Sequence, residues 1–363
     1  MASGSGILIV DDDANVRAAL STFFEQDRCP HVRTAQNLEE AIREARALPW
    51  EYPSVVILDL VLPGADLDEL IAGIRASAPG SIAIIGLSPI WLGKRPAIDA
   101  ILVGHVDPAT LRREVMRQLT DIRARKVLEL AVYVLGFDRL ARPHHTAVVT
   151  GASACFVETD RRRFLLTAGH VVEAIDEKSL RWMIGGEGNL VSIDGWSRLA
   201  IDPDADIGTV AVPDSFDPNR ISRRFYHPSS WPPERARVAE PAIFVGFPGE
   251  HRVLRPGVVE AHGTVLTDFV SSVSTRFFVL SSELKREVIG SGPRSSLRHV
   301  GGISGAPVFV SREYGLVLVG AVSQGMQPSS DIVSHPTGAD AAFVASHADF
   351  IEEDGTLDEN LPR

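Results

Sequence analysis

Apolar residues come in two rhythms along this chain. In the first third, short continuous runs end on acidic or hydroxyl residues: Gly6-Ile7-Leu8-Ile9-Val10 before Asp11-Asp12-Asp13, Ser54-Val55-Val56-Ile57-Leu58 before Asp59, and Ser81 to Leu87 before Ser88. Ala100 to Val103 is a fourth such run. Runs this short and this apolar predict strands of a parallel sheet buried on both faces. Between them, Val16, Leu20, Phe23 and Phe24 recur with helical spacing over Ala14 to Glu25. From Pro108 to Phe137 the apolar positions Leu111, Val115, Leu119, Ile122 and Lys126 to Leu130 predict one long helix. Beyond that the rhythm becomes that of strands, as at Phe164 to Thr167, Ile207 to Val212, Pro307 to Phe309 and Val319 to Val322.

The change of rhythm divides the chain. Its 363 residues suffice for two or three domains with their own cores. The predicted boundaries are 5–122 for a doubly wound α/β domain, 123–145 for a helical linker, 146–350 for an all-β domain and 351–363 for a loose acidic tail. A net charge of −11 argues against a nucleic-acid partner, because phosphate contacts need a basic surface. The two cysteines, Cys29 and Cys155, fall in different predicted domains, so no structural disulfide is expected. No basic-plus-apolar leader precedes the first strand, and Leu128 to Phe137 is too short to span a bilayer, which predicts a cytoplasmic protein without membrane contact.

Candidate chemistry concentrates in three segments of the β-rich part. Gly301-Gly302-Ile303-Ser304-Gly305-Ala306-Pro307 crowds glycines around one serine, which leaves room for a substrate carbonyl and lets the Gly302 and Ser304 amides point at one oxyanion. A serine needs a base to become a nucleophile. His170, in Leu166-Thr167-Ala168-Gly169-His170, stands at the end of a buried strand, and Asp206, at the head of another, suits the task of orienting it.

In the order His170, Asp206, Ser304 these segments resemble the trypsin-like serine peptidases, particularly the bacterial high-temperature-requirement type. The resemblance implies an all-β double barrel, an endopeptidase without a cofactor, and a protein or peptide substrate. By the same resemblance Val319 to Gly325 is the strand that pairs with substrate backbone, with Ser323 and Gly325 on the wall of the specificity pocket and Arg298 and His299 near its floor. Ile303 stands where secreted members carry an aspartate that captures a new N-terminus, so activation by cleavage is not expected.

Residues 5–122 resemble the receiver domain of bacterial response regulators, a flavodoxin-like fold. That resemblance makes Asp11, Asp12 and Asp59 a Mg²⁺ site, Asp59 the phospho-acceptor and Ser88 the hydroxyl that senses the phosphoryl group. Three adjacent carboxylates repel one another and favour a hard divalent cation. It also implies an upstream partner such as a histidine kinase, and a homodimer. One member of the pattern is missing: Gly104 and His105 occupy the place of the family's lysine, and Lys94 lies in another loop. Two functional readings follow. The first is an intracellular bacterial serine endopeptidase regulated through its receiver by phosphorylation or partner docking, and the second a silent peptide-binding scaffold with a degenerate receiver.

Overall fold

The computed structural model describes residues 5–26, 29, 31–48, 54–64, 66–77, 82–91, 93, 95, 97–138, 148–175, 180–186, 189–249, 252–255, 258–281, 288–290, 301–312, 315–326 and 342–358. They fall into two compact units, one built on residues 1–125 and the other on most of the chain from Lys126 onward.

In the N-terminal unit five parallel strands, β1 (Gly6–Val10), β2 (His31–Ala35), β3 (Ser54–Asp59), β4 (Ile82–Ser88) and β5 (Ala100–Val103), lie in the order β2-β1-β3-β4-β5. Ile7, Ile9, Val55, Ile57, Ala83 and Ile85 point to one face. There they meet Phe24 of α1 (Ala14–Gln26) and Leu111, Val115, Leu119 and Ile122 of α4 (Pro108–Leu130). The alternate residues Leu8, Val10, Val56, Leu58, Ile82 and Ile84 point to the other, against Ala41 and Ala45 of α2 (Leu38–Arg46) and Leu70, Ile71 and Ile74 of α3 (Leu67–Ser77). Covering both faces is why the central strands read as unbroken apolar runs. β2 escaped the sequence reading because it is an edge strand whose middle residues, Arg33 and Thr34, are polar and not fully buried.

The long helix predicted to Phe137 ends at Leu130. Ala131–Asp138 is instead strand β6, paired antiparallel with β7 (Val148–Glu158) and β9 (Leu180–Gly185). Its residues from Ala131 to Leu135 are fully buried, which suits a run of β-branched and aromatic side chains in a sheet. The stretch 123–145 is therefore not a helical linker: a strand of the β-rich unit starts inside it.

That unit contains two seven-stranded sheets. The first adds β8 (Arg163–Thr167), β10 (Leu190–Ser192), β11 (Arg198–Asp202) and β12 (Ile207–Ala211), in the order β10-β9-β6-β7-β8-β12-β11. Two short strands, β14 (Arg252–Arg255) and β15 (Val258–Ala261), form a hairpin of their own. The second sheet runs β13-β19-β20-β21-β17-β16-β18, from β13 (Pro241–Gly246), β16 (Thr264–Val273), β17 (Phe277–Ser281), β18 (Val288–Gly290), β19 (Pro307–Arg312), β20 (Gly315–Met326) and β21 (Ala342–His347). β13 also pairs with β16, closing six strands into a barrel filled by Phe244, Leu266, Phe278, Val308, Val322 and Phe343. Among the described residues the first sheet stays open, with β10 and β11 as its edges, so one hydrogen-bonded barrel is present where two were expected.

The C-terminal tail is not loose as far as residue 358. Ile351 bridges to Leu357, and the carbonyls of Ile351, Glu353 and Gly355 accept hydrogen bonds from Trp231 Nε1 at 2.7 Å, Thr159 Oγ1 at 2.6 Å and Thr209 Oγ1 at 2.5 Å. The acidic residues drew the sequence reading to solvent, while backbone carbonyls fixed the segment. Residues 359–363 lie outside the described residues.

Candidate active site and phospho-acceptor site

β8 ends at Thr167, and the chain turns at Ala168 into the short helix α5 (Gly169–Ile175). Val171 and Val172 of α5 are buried in the core of the first sheet, which leaves His170 on the outer face with about half of its side chain exposed. Gly169 lets this helix approach the turn between β11 and β12, because a Cβ there would stand 3.1 Å from Ile207 N and 3.2 Å from Asp202 O.

Asp206 closes that turn. Asp202 Oδ1 accepts the amides of Asp204 and Ala205, each at 2.9 Å, and Asp206 itself takes φ +49°, in the left-handed region that aspartate tolerates better than most residues. Its Oδ1 accepts the His170 backbone amide at 2.9 Å, and the ring Nδ1 lies 3.0 Å from both carboxylate oxygens. The proton therefore belongs on Nδ1 and the lone pair on Nε2. The hydrogen bond to Asp206 holds the His170 pKa above its ordinary 6.5; burial opposes it, and the charges of Asp206 and Glu173 add to the rise.

Ser304 is partly exposed on a turn whose flanking glycines adopt positive φ, +96° at Gly302 and +81° at Gly305. Gly305 packs against Ser153 O, Thr167 Oγ1 and Ala168 N so closely that no side chain would fit. This sets Ser304 beside the strand end that delivers His170. Among the described residues the Ser304 hydroxyl makes no hydrogen bond to His170, and the Gly302 and Ser304 amides donate none. Catalytic hydrogen bonds often tighten only when substrate binds. Ile303 is buried in the barrel core against Gly246, where an aspartate would be desolvated.

The residue that fixes this turn was not singled out from the sequence. Ser153, buried on β7, donates its amide to Ser304 O at 2.8 Å and its hydroxyl to Gly302 O at 2.7 Å. The same hydroxyl accepts the Phe247 amide at 3.0 Å, and Ser153 O accepts Thr167 Oγ1 at 2.7 Å. The small residues around it, Gly151-Ala152-Ser153-Ala154, are the available sequence signal of close backbone approach.

Of the expected pocket residues, Ser323 is buried and its hydroxyl donates to Val344 O at 3.1 Å, at a bulge between β20 and β21. Gly325 lies on β20 opposite Phe343, while Arg298 and His299 lie outside the described residues. β20 itself reaches the serine turn, since Gly305 N–H donates to Val322 O at 2.6 Å and Val322 N–H to Ala306 O at 2.9 Å.

In the N-terminal unit the order β2-β1-β3 sets the carboxyl ends of β1 and β3 side by side, the usual ligand position of such sheets. One ligand atom from each of Asp11, Asp12 and Asp59 lies within 4.8 Å of the others. Burial pushes the Asp11 carboxyl above its usual 3.8; the Asp13 amide opposes this, and the charges of Asp59, Asp12 and Asp13 add to it. An all-oxygen donor set under this repulsion fits a hard divalent cation. Ser88 is buried nearby in the strand order, with its hydroxyl donating to Ile90 O at 2.6 Å. Gly104, in place of the lysine, donates to Ser88 O at 2.9 Å and has φ +82°, a conformation that favours glycine over any side chain. Arg17, not anticipated from the sequence, donates from Nη1 to the backbone carbonyl of Asp11 at 2.7 Å.

Known proteins bear on the N-terminal unit. Residues 7–107 match the family model described as response regulator receiver domain, and that unit is a receiver domain with a flavodoxin-like parallel sheet. A protein-glutamate methylesterase/protein-glutamine glutaminase of Cereibacter sphaeroides is 30% identical over 125 residues, which is 34% of this chain and 33% of that protein. Another, from Nitratidesulfovibrio vulgaris, is 29% identical over 147 residues, 39% of each. The chain thus spans only about a third of these relatives' length. Among solved structures, a CheY-like receiver domain protein from Methanospirillum hungatei JF-1 is 25% identical, with 33% of this chain and 98% of that chain covered and a TM-score of 0.29. A Thermotoga maritima response regulator in complex with Mg²⁺ and BeF is 28% identical over 32% of this chain and 99% of that chain, with a TM-score of 0.28. Among the described residues no helix is long and apolar enough to cross a membrane.

Three outcomes are expected from this geometry. Ser153→Ala strands a buried amide and a buried carbonyl, which costs about 1–3 kcal/mol for each group, read as a lowered denaturation midpoint. The rate of Ser304 acylation by a fluorophosphonate should rise with pH through a midpoint above 6.5, as His170 loses its proton and becomes a base. In Asp206→Asn that midpoint should fall and the rate should drop by roughly 10⁴-fold. Asp11→Asn should raise the metal-free melting temperature by relieving repulsion and abolish the stabilisation that Mg²⁺ gives the parent, both read by thermal unfolding with and without the ion.

Proposed function

We propose that this protein is a serine endopeptidase of trypsin-like architecture under the control of its receiver domain. The observation that carries the reading is the pair formed by the His170 imidazole and the Asp206 carboxylate. It stands beside a serine whose turn is clamped to the same sheet through Ser153. His170 Nε2 takes the Ser304 hydroxyl proton as Oγ attacks the scissile carbonyl, and Asp206 stabilises the imidazolium that forms. The Gly302 and Ser304 amides receive the tetrahedral oxyanion. The imidazolium then gives its proton to the leaving amine, and water repeats the sequence on the acyl-enzyme.

In the receiver, Asp11, Asp12 and Asp59 would hold Mg²⁺, whose charge offsets that of an incoming phosphoryl group, and Asp59 is the acceptor. Ser88 must release Ile90 O before it can turn to a phosphoryl oxygen, which gives the site two arrangements to switch between. The upstream partner is a phosphodonor such as a histidine kinase. The methylesterase and glutaminase activities of the relatives above keep open a second class of bond for the same serine, a side-chain ester or amide of glutamate.

Purified full-length protein and Ser304→Ala should be treated with a fluorophosphonate, with and without acetyl phosphate and Mg²⁺, and then offered an unstructured protein and a glutamyl methyl ester peptide. Labelling and peptide-bond cleavage confined to the parent establish the endopeptidase, and a rate that rises with phosphodonor but not in Asp59→Ala establishes the control. Cleavage of the ester alone would move the assignment to the relatives' chemistry, and absence of labelling in every condition would leave a peptide-binding scaffold.

A further inference from the structure

Arg252, the first residue of β14, returns its side chain to the serine turn from a neighbouring hairpin. Its guanidinium lies against the Cα of Gly151 on β7 and of Gly302, so closely that a side chain at either position would collide with it. Nη2 donates to Phe247 O at 3.3 Å, the carbonyl of the residue whose amide binds Ser153. That is a poor return for five donors. Nε is buried with no partner, and among the described residues no carboxylate lies within ion-pair distance. Burial lowers the Arg252 pKa, yet a guanidinium remains charged at any working pH. A partly desolvated cation without a counter-ion is costly, so its retention beside the nucleophile calls for an anion brought from outside.

Its place says which part of a substrate would bring that anion. β20 hydrogen-bonds the turn at Gly305 and Ala306, whereas the Arg252 guanidinium lies against Gly302 of the turn and Gly151 of β7. A peptide whose acyl portion pairs with β20 therefore leaves its amine portion over Gly151 and Arg252.

We propose that Arg252 is a specificity-determining residue that binds a carboxylate on the leaving-group side of the scissile bond, within about two residues of it. A planar fork suits this task, because two parallel hydrogen bonds match the two carboxylate oxygens. The inference rests on the endopeptidase reading. An Asp or Glu side chain and the free C-terminus of a peptide offer the same chemistry, and the test separates them.

A peptide library carrying Glu or Gln at each position, with free or amidated C-termini, should be digested by the full-length protein and by Arg252→Gln, and the cut sites read by mass spectrometry. The expected result is at least about a tenfold preference for Glu over Gln, or for free over amidated ends, just after the cleaved bond. The preference should vanish in Arg252→Gln and persist in weakened form in Arg252→Lys, which keeps the charge without the fork. An equal preference in parent and Arg252→Gln, or none in the parent, overturns the assignment. If the parent cleaves nothing, the endopeptidase reading fails by itself, and fluorescein-labelled members of the same library are titrated against Ser304→Ala and Ser304→Ala/Arg252→Gln by anisotropy. Tighter binding of the carboxylate-bearing members, lost in the double variant, sustains the site; identical or undetectable binding ends it.

Discussion

Everything proposed for the C-terminal half depends on a single buried serine. Ser153 joins a strand of the first sheet to the turn carrying Ser304 at two points, Ser304 O and Gly302 O, and to the end of a barrel strand through the Phe247 amide. Thr167, three residues before His170, anchors to the Ser153 carbonyl. Buried hydrogen bonds of this kind contribute little net stability when satisfied and cost much when broken, so a fully satisfied cluster tolerates only one arrangement. The segments carrying His170 and Ser304 are in this way referred to one residue. Gly305 completes the clamp by offering no side chain to the gap.

On that frame the chemistry needs few further parts. Asp206 reaches His170 because a tight turn holds it at positive φ, a conformation with a local cost that Asp202 and Gly169 make sustainable, one by capping the turn and the other by permitting close approach. The result is an imidazole with a defined tautomer and a raised proton affinity, half open to solvent and therefore to substrate. The receiver works from the opposite principle. Its three carboxylates are held where they repel, and the repulsion is what a divalent cation and a phosphoryl group would relieve. On the reading proposed above, one polypeptide would join a hydrolase to a phosphorylation input.

Much of this was legible in the residues. The apolar runs of β1, β3 and β4 announced themselves because both sheet faces are buried, and Asp11, Asp12 and Asp59 followed from where those runs end. His170 and Asp206 were readable as a pair, and the structure brings their side chains together. β2 was not readable, because an edge strand with Arg33 and Thr34 at its middle has no apolar run. The strand at Ala131–Asp138 reads as helix in the sequence because the preceding helical period continues into it. The acidic segment after Ile351 looked solvated, since carboxylates say nothing about the carbonyls between them.

The sequence by itself determined which acidic and hydroxyl residues end the apolar runs and the alternation that buries the receiver strands, because side-chain type and local period are one-dimensional properties. Only the tertiary structure decided that β13 closes on β16, that Ser153 holds the turn carrying Ser304, and that the Arg252 guanidinium lies against Gly302. It also showed that Gly104, where a lysine was expected, has its backbone in the left-handed region that favours glycine. These are relations between residues far apart in the chain, set by which backbones approach closely enough to exclude a side chain or share a hydrogen bond, and no local pattern encodes them.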